Sequence, residues 1–146
     1  MTTMLLLNYR ERNLGLNKSK DLKGMRKFDV DLEFGQLGEE FVKSMQDRNT
    51  KIEVKTERDI WKTTGNIAIE IRCRGKLSGL SVTEAQTWIH LLSYKGKIEG
   101  GFIISTNYLK NRIKELKEND EIKIVMGGDD NMSQMVLIPI EKLFTK

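Results

Sequence analysis

Three residues fall into a spacing that could carry hydrolytic chemistry: Glu53 and Lys55 in "IEVKT", and Glu70 in "GNIAIEI". Carboxylates gathered around an ammonium group can hold a divalent cation, which polarises a phosphate and lowers the pKa of a bound water. The lysine can orient or deprotonate that water and stabilise the charge that builds on the phosphorane. The chain has one histidine, His90, and one cysteine, Cys73. It therefore cannot build a thiolate or imidazole zinc site by itself, nor an internal disulfide. Any metal must be held by oxygen, which favours Mg2+, Mn2+ or Ca2+.

The E-x-K triplet alone decides nothing, because it also occurs as Glu115/Lys117 and Glu121/Lys123. The former falls in a helical pattern, where residues two apart point in different directions. The other two fall on strands, where residues two apart share a face. Context singles out Glu53 and Lys55. Glu39 and Glu40 precede them on an expected helix, and the next expected strand carries Glu70. If strands 51–56 and 66–73 pair, Ile52 and Val54 lie with Ile67, Ile69 and Ile71, while Glu53, Lys55 and Glu70 share the opposite face. Such a gathering of like charge is costly unless a cation binds.

Positioning these residues requires a scaffold. Phe34, Leu37, Phe41 and Met45 recur at helical spacing and predict an amphipathic helix over about 35–46. After the strands 51–56 and 66–73, "TWIHLLSY" and "GGFIIST" read as two more around the turn "KGKIEG". "NYLKNRIKELKEN" predicts a helix that buries Leu109, Ile113 and Leu116, and "EIKIVM" and "MVLIPI" complete the sheet. The expected class is α/β (α+β): one domain with helices packed on a mixed central sheet. A length of 146 residues with 38% apolar and 32% charged residues suits a single soluble globular domain. No apolar run is long enough to cross a bilayer, so no membrane partner is expected and the cytoplasm is the expected location.

Charge is unevenly spread. Residues 1–28 hold seven Lys/Arg against two acids, which makes them a basic arm ahead of a near-neutral body over 29–146. A polyanion is the natural partner of such an arm, nucleic acid first. Arg58, Trp61, Lys62, Arg72, Arg74 and Lys76 add a basic and aromatic track beside the acids. His90 and Cys73 read as structural strand residues, and "GGDDNMS" as a loop between strands. The Gly/Ser-rich "SGLS" with Thr83 offers either a turn and helix cap or backbone and hydroxyl donors for a phosphate.

The series "GQLGEE", "IEVKT", "TGNIAIEI" and "RGKLSGLSVTEAQTW" resembles small PD-(D/E)XK nucleases of a phage-type group. The resemblance runs on through "GGFIIST" and "VMGGDDNMS" and covers roughly residues 28–141. It implies a restriction-endonuclease-like sheet and Mg2+- or Mn2+-dependent hydrolysis of DNA in repair, recombination or restriction. A phage-encoded chain would act in the host cytoplasm. Position by position, Glu39 matches the helix acid that follows G-x-x-G, and Glu53 and Lys55 match the E-x-K pair. The family's aspartate on a preceding strand has no counterpart, since no strand fits between Met45 and Lys51. Either Asp47 or Glu70 takes its place or the site is incomplete, and the clear alternation around Glu70 favours it over Asp47. The expected set is then Glu39, Glu53 and Glu70 for the metal, with Glu53, Lys55 and Glu70 catalytic. Arg58, Lys62, Arg72, Arg74 and Lys76 would bind DNA, and a homodimer is an admissible assembly. The other reading is a non-catalytic protein that binds nucleic acid or a partner on a nuclease-like scaffold.

Overall fold

A computed structural model describes residues 27–145 of the chain. Most of the expected basic arm, residues 1–26, lies outside that range. The described residues divide into two units, one ending at Asp47 and the other starting at Arg48.

The first unit contributes helix α1, Lys27–Ser44. The helix starts inside the segment expected to be an arm and stops two residues short of the expected end. Its apolar stripe is not buried: Phe34 is 65% and Phe41 46% exposed, while Leu37 and Met45 are half-buried. Within its own unit, no second described element exists for that stripe to pack on.

The second unit is mixed α+β, as expected, but its strands form two sheets rather than one. Strands β1 (Ile52–Glu57), β4 (Thr87–Tyr94) and β5 (Lys97–Ser105) make a mixed sheet in the order β1-β4-β5. In it β1 runs parallel to β4, and β5 antiparallel. Strands β2 (Asn66–Cys73), β3 (Lys76–Leu77), β6 (Lys123–Gly127) and β7 (Ser133–Pro139) make an antiparallel sheet in the order β3-β2-β7-β6. A short helix α2 (Trp61–Thr64) links β1 to β2, and α3 (Thr106–Glu118) follows β5.

Turn chemistry explains several joins. Lys95 and Gly96 both take positive φ in the two-residue turn between β4 and β5, as do Arg74 and Gly75 between β2 and β3. Tight hairpins need that twist, and glycine at the second position makes it cheap. Helix α3 starts on Ser105, whose hydroxyl accepts from the Tyr108 N–H at 3.4 Å. It buries Leu109 and Leu116, with Ile113 packed beside them. It also buries Arg112, which is satisfied by the Lys142 carbonyl at 2.8 Å, Glu115 at 2.7 Å and the Thr145 carbonyl. The guanidinium thereby ties down the C-terminal segment, because a buried charge is tolerated only when its donors are paired.

The core lies between the sheets. Trp88 and Ile104 from the three-stranded sheet meet Ile67, Ile69, Val136 and Ile138 from the other, with Leu109, Leu116, Leu80 and Leu143 around them. Register then fixes which face of β1 looks inward. Glu53 pairs with Trp88 and Lys55 with His90, so the E-x-K side chains share the face of the core residues. Val54, on the opposite face, is 52% exposed. The alternation expected from sequence is present, but its sense is reversed: the charged residues face inward and the valine outward.

The expected pairing of 51–56 with 66–73 does not form. β1 pairs with β4, and β2 pairs with β3 and β7. A side chain makes the connection instead. Glu57 Oε2 accepts the Ala68 N–H of β2 at 2.9 Å and the His90 Nε2–H of β4 at 3.1 Å. A carboxylate thus satisfies a backbone donor on β2 that a neighbouring strand would otherwise take.

Candidate active site

Strand β1 supplies the first part of the site. Lys55 Nζ lies 2.7 Å from Glu53 Oε1, and both side chains are partly exposed. An ion pair this exposed adds little to stability. Its consequence is orientation: two side chains on one strand face are held together at the border between core and solvent.

Strand β2 supplies Glu70. The register of β2 against β7 shifts between Glu70 and Arg72, and such a bulge re-aims neighbouring side chains. Glu70 Oε2 accepts from the Ser133 hydroxyl at 2.6 Å. That bond holds the Glu70 carboxyl below the usual glutamate range, with the Ser78 hydroxyl and the Lys55 charge acting in the same direction and partial burial opposing them. The Ser78 oxygen is itself buried without a properly aligned hydrogen-bond partner, so its influence on Glu70 is the looser one. Lys55 therefore acts on both carboxylates: on Glu53 by contact and on Glu70 through its charge.

The segment after β3 closes the group. Thr83 Oγ1 accepts the Ala85 N–H at 3.3 Å, which leaves the hydroxyl hydrogen free to donate to Glu53 Oε2 at 3.4 Å. Gly79 takes φ +52°, and a Cβ there would fall 2.3 Å from the Glu70 carbonyl oxygen. Only glycine fits a left-handed backbone pressed this close to a strand.

Glu39 is an exposed residue of α1 and Asp47 an exposed residue at the end of the first unit; neither belongs to the second unit. Of the two candidates for the missing aspartate, Glu70 is the one whose unit also holds Glu53 and Lys55. Among the described residues, no three Asp, Glu, His or Cys side chains gather as a metal cluster. The donors present are all oxygen, two glutamates with hydroxyls beside them. That set suits Mg2+, which keeps several waters and takes one or two protein carboxylates together with substrate phosphate.

The basic residues fall in two places. Arg72, Arg74 and Lys76 are exposed on the β2–β3 hairpin, where an Arg72 N–H donates to the Gly75 carbonyl at 3.1 Å. Arg58 precedes α2 and Lys62 lies within it. The Lys62 ammonium sits 4.1 Å from the Tyr94 ring centre and pairs with Glu99, while Trp61 Nε1 donates to the Ser93 carbonyl at 2.6 Å. Trp61 is thus a packed anchor with a bonded indole N–H.

His90 is structural, as its lone position on a strand suggests. It is 1% exposed, and its ring lies parallel to Phe102 with centres 5.4 Å apart. An indole N–H can only donate, so His90 Nδ1 accepts from Trp88 at 3.2 Å and Nε2 carries the hydrogen given to Glu57. Sequence reasoning missed Glu57 and Ser133. Glu57 had a signal, since "EVKTE" continues the Glu53 and Lys55 face by one more step of two. Ser133 had none, because its role depends on β7 lying beside β2.

Comparison with protein-family models, with curated proteins and with solved structures gave no match to this chain.

Proposed function

We propose that the protein is a metal-dependent phosphodiesterase acting on DNA, an endonuclease of the PD-(D/E)XK type. The observation that carries this reading is the Glu53–Lys55 pair at 2.7 Å on β1, with Glu70 of the other sheet held below the usual glutamate range chiefly by Ser133 and more weakly by the Lys55 charge. An exposed Glu–Lys pair does little for stability, and two carboxylates with an ammonium are the parts that phosphodiester hydrolysis needs.

Glu53 and Glu70 would hold Mg2+ or Mn2+, which when bound supplies Lewis-acid polarisation of the phosphate and a more acidic water. Lys55 orients the attacking water and offsets the negative charge that grows on the phosphate oxygens. Ser133 keeps Glu70 in its anionic form, ready to bind a cation. Arg72, Arg74 and Lys76 on the hairpin, with Arg58 and Lys62 at α2, supply backbone contacts that position a duplex without reading its sequence. Such an enzyme would work in the cytoplasm, that of a host if phage-encoded, and a homodimer would bring one site to each strand of a duplex. Among the described residues no helix is long and apolar enough to cross a membrane.

The test is a nicking assay on supercoiled and branched DNA with Mg2+, Mn2+ or EDTA. Cleavage should require the metal and should vanish in Glu53→Ala and Lys55→Ala, both of which replace partly exposed side chains and leave the circular-dichroism spectrum unchanged. Full cleavage in both variants would refute the site. DNA binding with no cleavage under any metal would favour a non-catalytic nucleic-acid-binding protein on the same scaffold.

A further inference from the structure

We propose that the Ser78–Thr83 loop and Ser133 form a bracket that positions the two carboxylates of the site, a role that rests on the nuclease reading. Three observations place the bracket. Ser133, 5% exposed at the start of β7, donates to Glu70 at 2.6 Å. Thr83, at the far end of the loop, has its hydroxyl hydrogen directed at Glu53 by the Ala85 N–H that occupies its lone pair. Between them the loop backbone is locked to β2. The Ser78 N–H donates to the Ile71 carbonyl at 3.1 Å, and Gly79 lies so close to the Glu70 carbonyl that no side chain fits.

The loop therefore spans the gap that the absent β1–β2 pairing leaves. Glu53 and Glu70 sit on strands of different sheets, and no ladder of backbone hydrogen bonds fixes one relative to the other. A loop seated on Glu70 at one end and bonded to Glu53 at the other supplies that missing constraint. The tight turn Gly79–Ser81, with the Thr83 N–H donating to the Gly79 carbonyl at 3.1 Å, makes the span stiff. Ser133 and Thr83 touch the carboxylates and no reacting atom, so they are positioning residues. Partners of this kind orient metal ligands, and their loss weakens metal affinity or activity by about 10–100-fold.

The experiment measures Mn2+ affinity by titration calorimetry, and kcat and KM on nicked-plasmid formation, for the wild type, Ser133→Ala, Ser133→Thr, Thr83→Val and Thr83→Ser. Ser133→Ala should weaken Mn2+ binding about 10-fold or more and lower kcat, with KM for DNA unchanged. Thr83→Val should act in the same direction and less strongly, because its bond is longer and more exposed. Ser133→Thr and Thr83→Ser keep a hydroxyl and should restore most of both readings. Should Ser133→Ala fail to fold, the loop variant Thr83→Val decides alone. Variants that lose only thermal stability, with Mn2+ affinity and kcat kept, would overturn the bracket and leave the nuclease reading standing. A wild type that neither binds Mn2+ nor cleaves would overturn both.

Discussion

Replacing Glu57 by alanine removes a side chain that joins β1 to β2. Two donors lose their acceptor: the His90 Nε2–H and the Ala68 N–H, both bonded to Oε2. His90 is 1% exposed, so losing its acceptor incurs the cost of an unpaired buried donor, about 1–3 kcal/mol. Ala68 is half-buried, which puts its share at the low end of the same range. The expected loss is about 2–4 kcal/mol, a large part of the roughly 5–15 kcal/mol that a domain has. Glu57→Gln keeps an oxygen that can accept from both donors, and it should lose less than about half as much. Urea unfolding followed by tryptophan fluorescence would measure both, with Trp88 stacked beside His90 as a reporter. A double-mutant cycle with His90→Phe should give a coupling of about 1–2 kcal/mol, as expected for residues in direct contact. If Glu57→Ala lies within about 0.5 kcal/mol of the wild type, the carboxylate is not the link between the sheets and the reasoning fails.

Two further outcomes follow from the site and from the face of β1. Glu70 titrates below the usual range in the folded chain, chiefly through Ser133, so its contribution to stability is present above the unfolded value and is lost as pH falls through the lowered folded value. Ser133→Ala should therefore show its largest deficit above the ordinary glutamate range, shrinking on acidification; urea midpoints across a pH series would show it, and a deficit constant with pH would contradict it. Val54→Thr, on the exposed face of β1, should change stability by less than about 0.5 kcal/mol in the same unfolding assay, whereas a loss beyond about 1 kcal/mol would mean that this face is covered.

The longer elements of the second unit were legible because their signals are local. Period-two alternation marked β1 and β2, and Leu109, Ile113 and Leu116 marked the buried side of α3; the expected turn "KGKIEG" is only Lys95 and Gly96, the rest of it being the start of β5. The Glu53–Lys55 pairing was legible too, because residues two apart on a strand must share a face whatever the strand packs against. Periodicity says nothing about which of two faces looks inward. That was decided by the partner strand: pairing with β4 puts Trp88 and His90 beside Glu53 and Lys55 and turns the charged face toward the core. The stripe on α1 shows the same limit, since amphipathic spacing cannot supply the surface that would bury it.

By itself, the sequence determined the longer strands and the helix after β5 in the second unit, that any metal must be held by oxygen, and that Glu53 and Lys55 stand together; it did not show α2 or β3. Only the tertiary structure decided that the strands divide into two sheets, that Glu57 stitches them, and that Ser133 and Thr83 reach the two carboxylates. These are contacts between residues as many as 63 positions apart, as in the Ser133–Glu70 bond. Such contacts depend on strand order and register, which the packing of the whole core selects and no local pattern encodes.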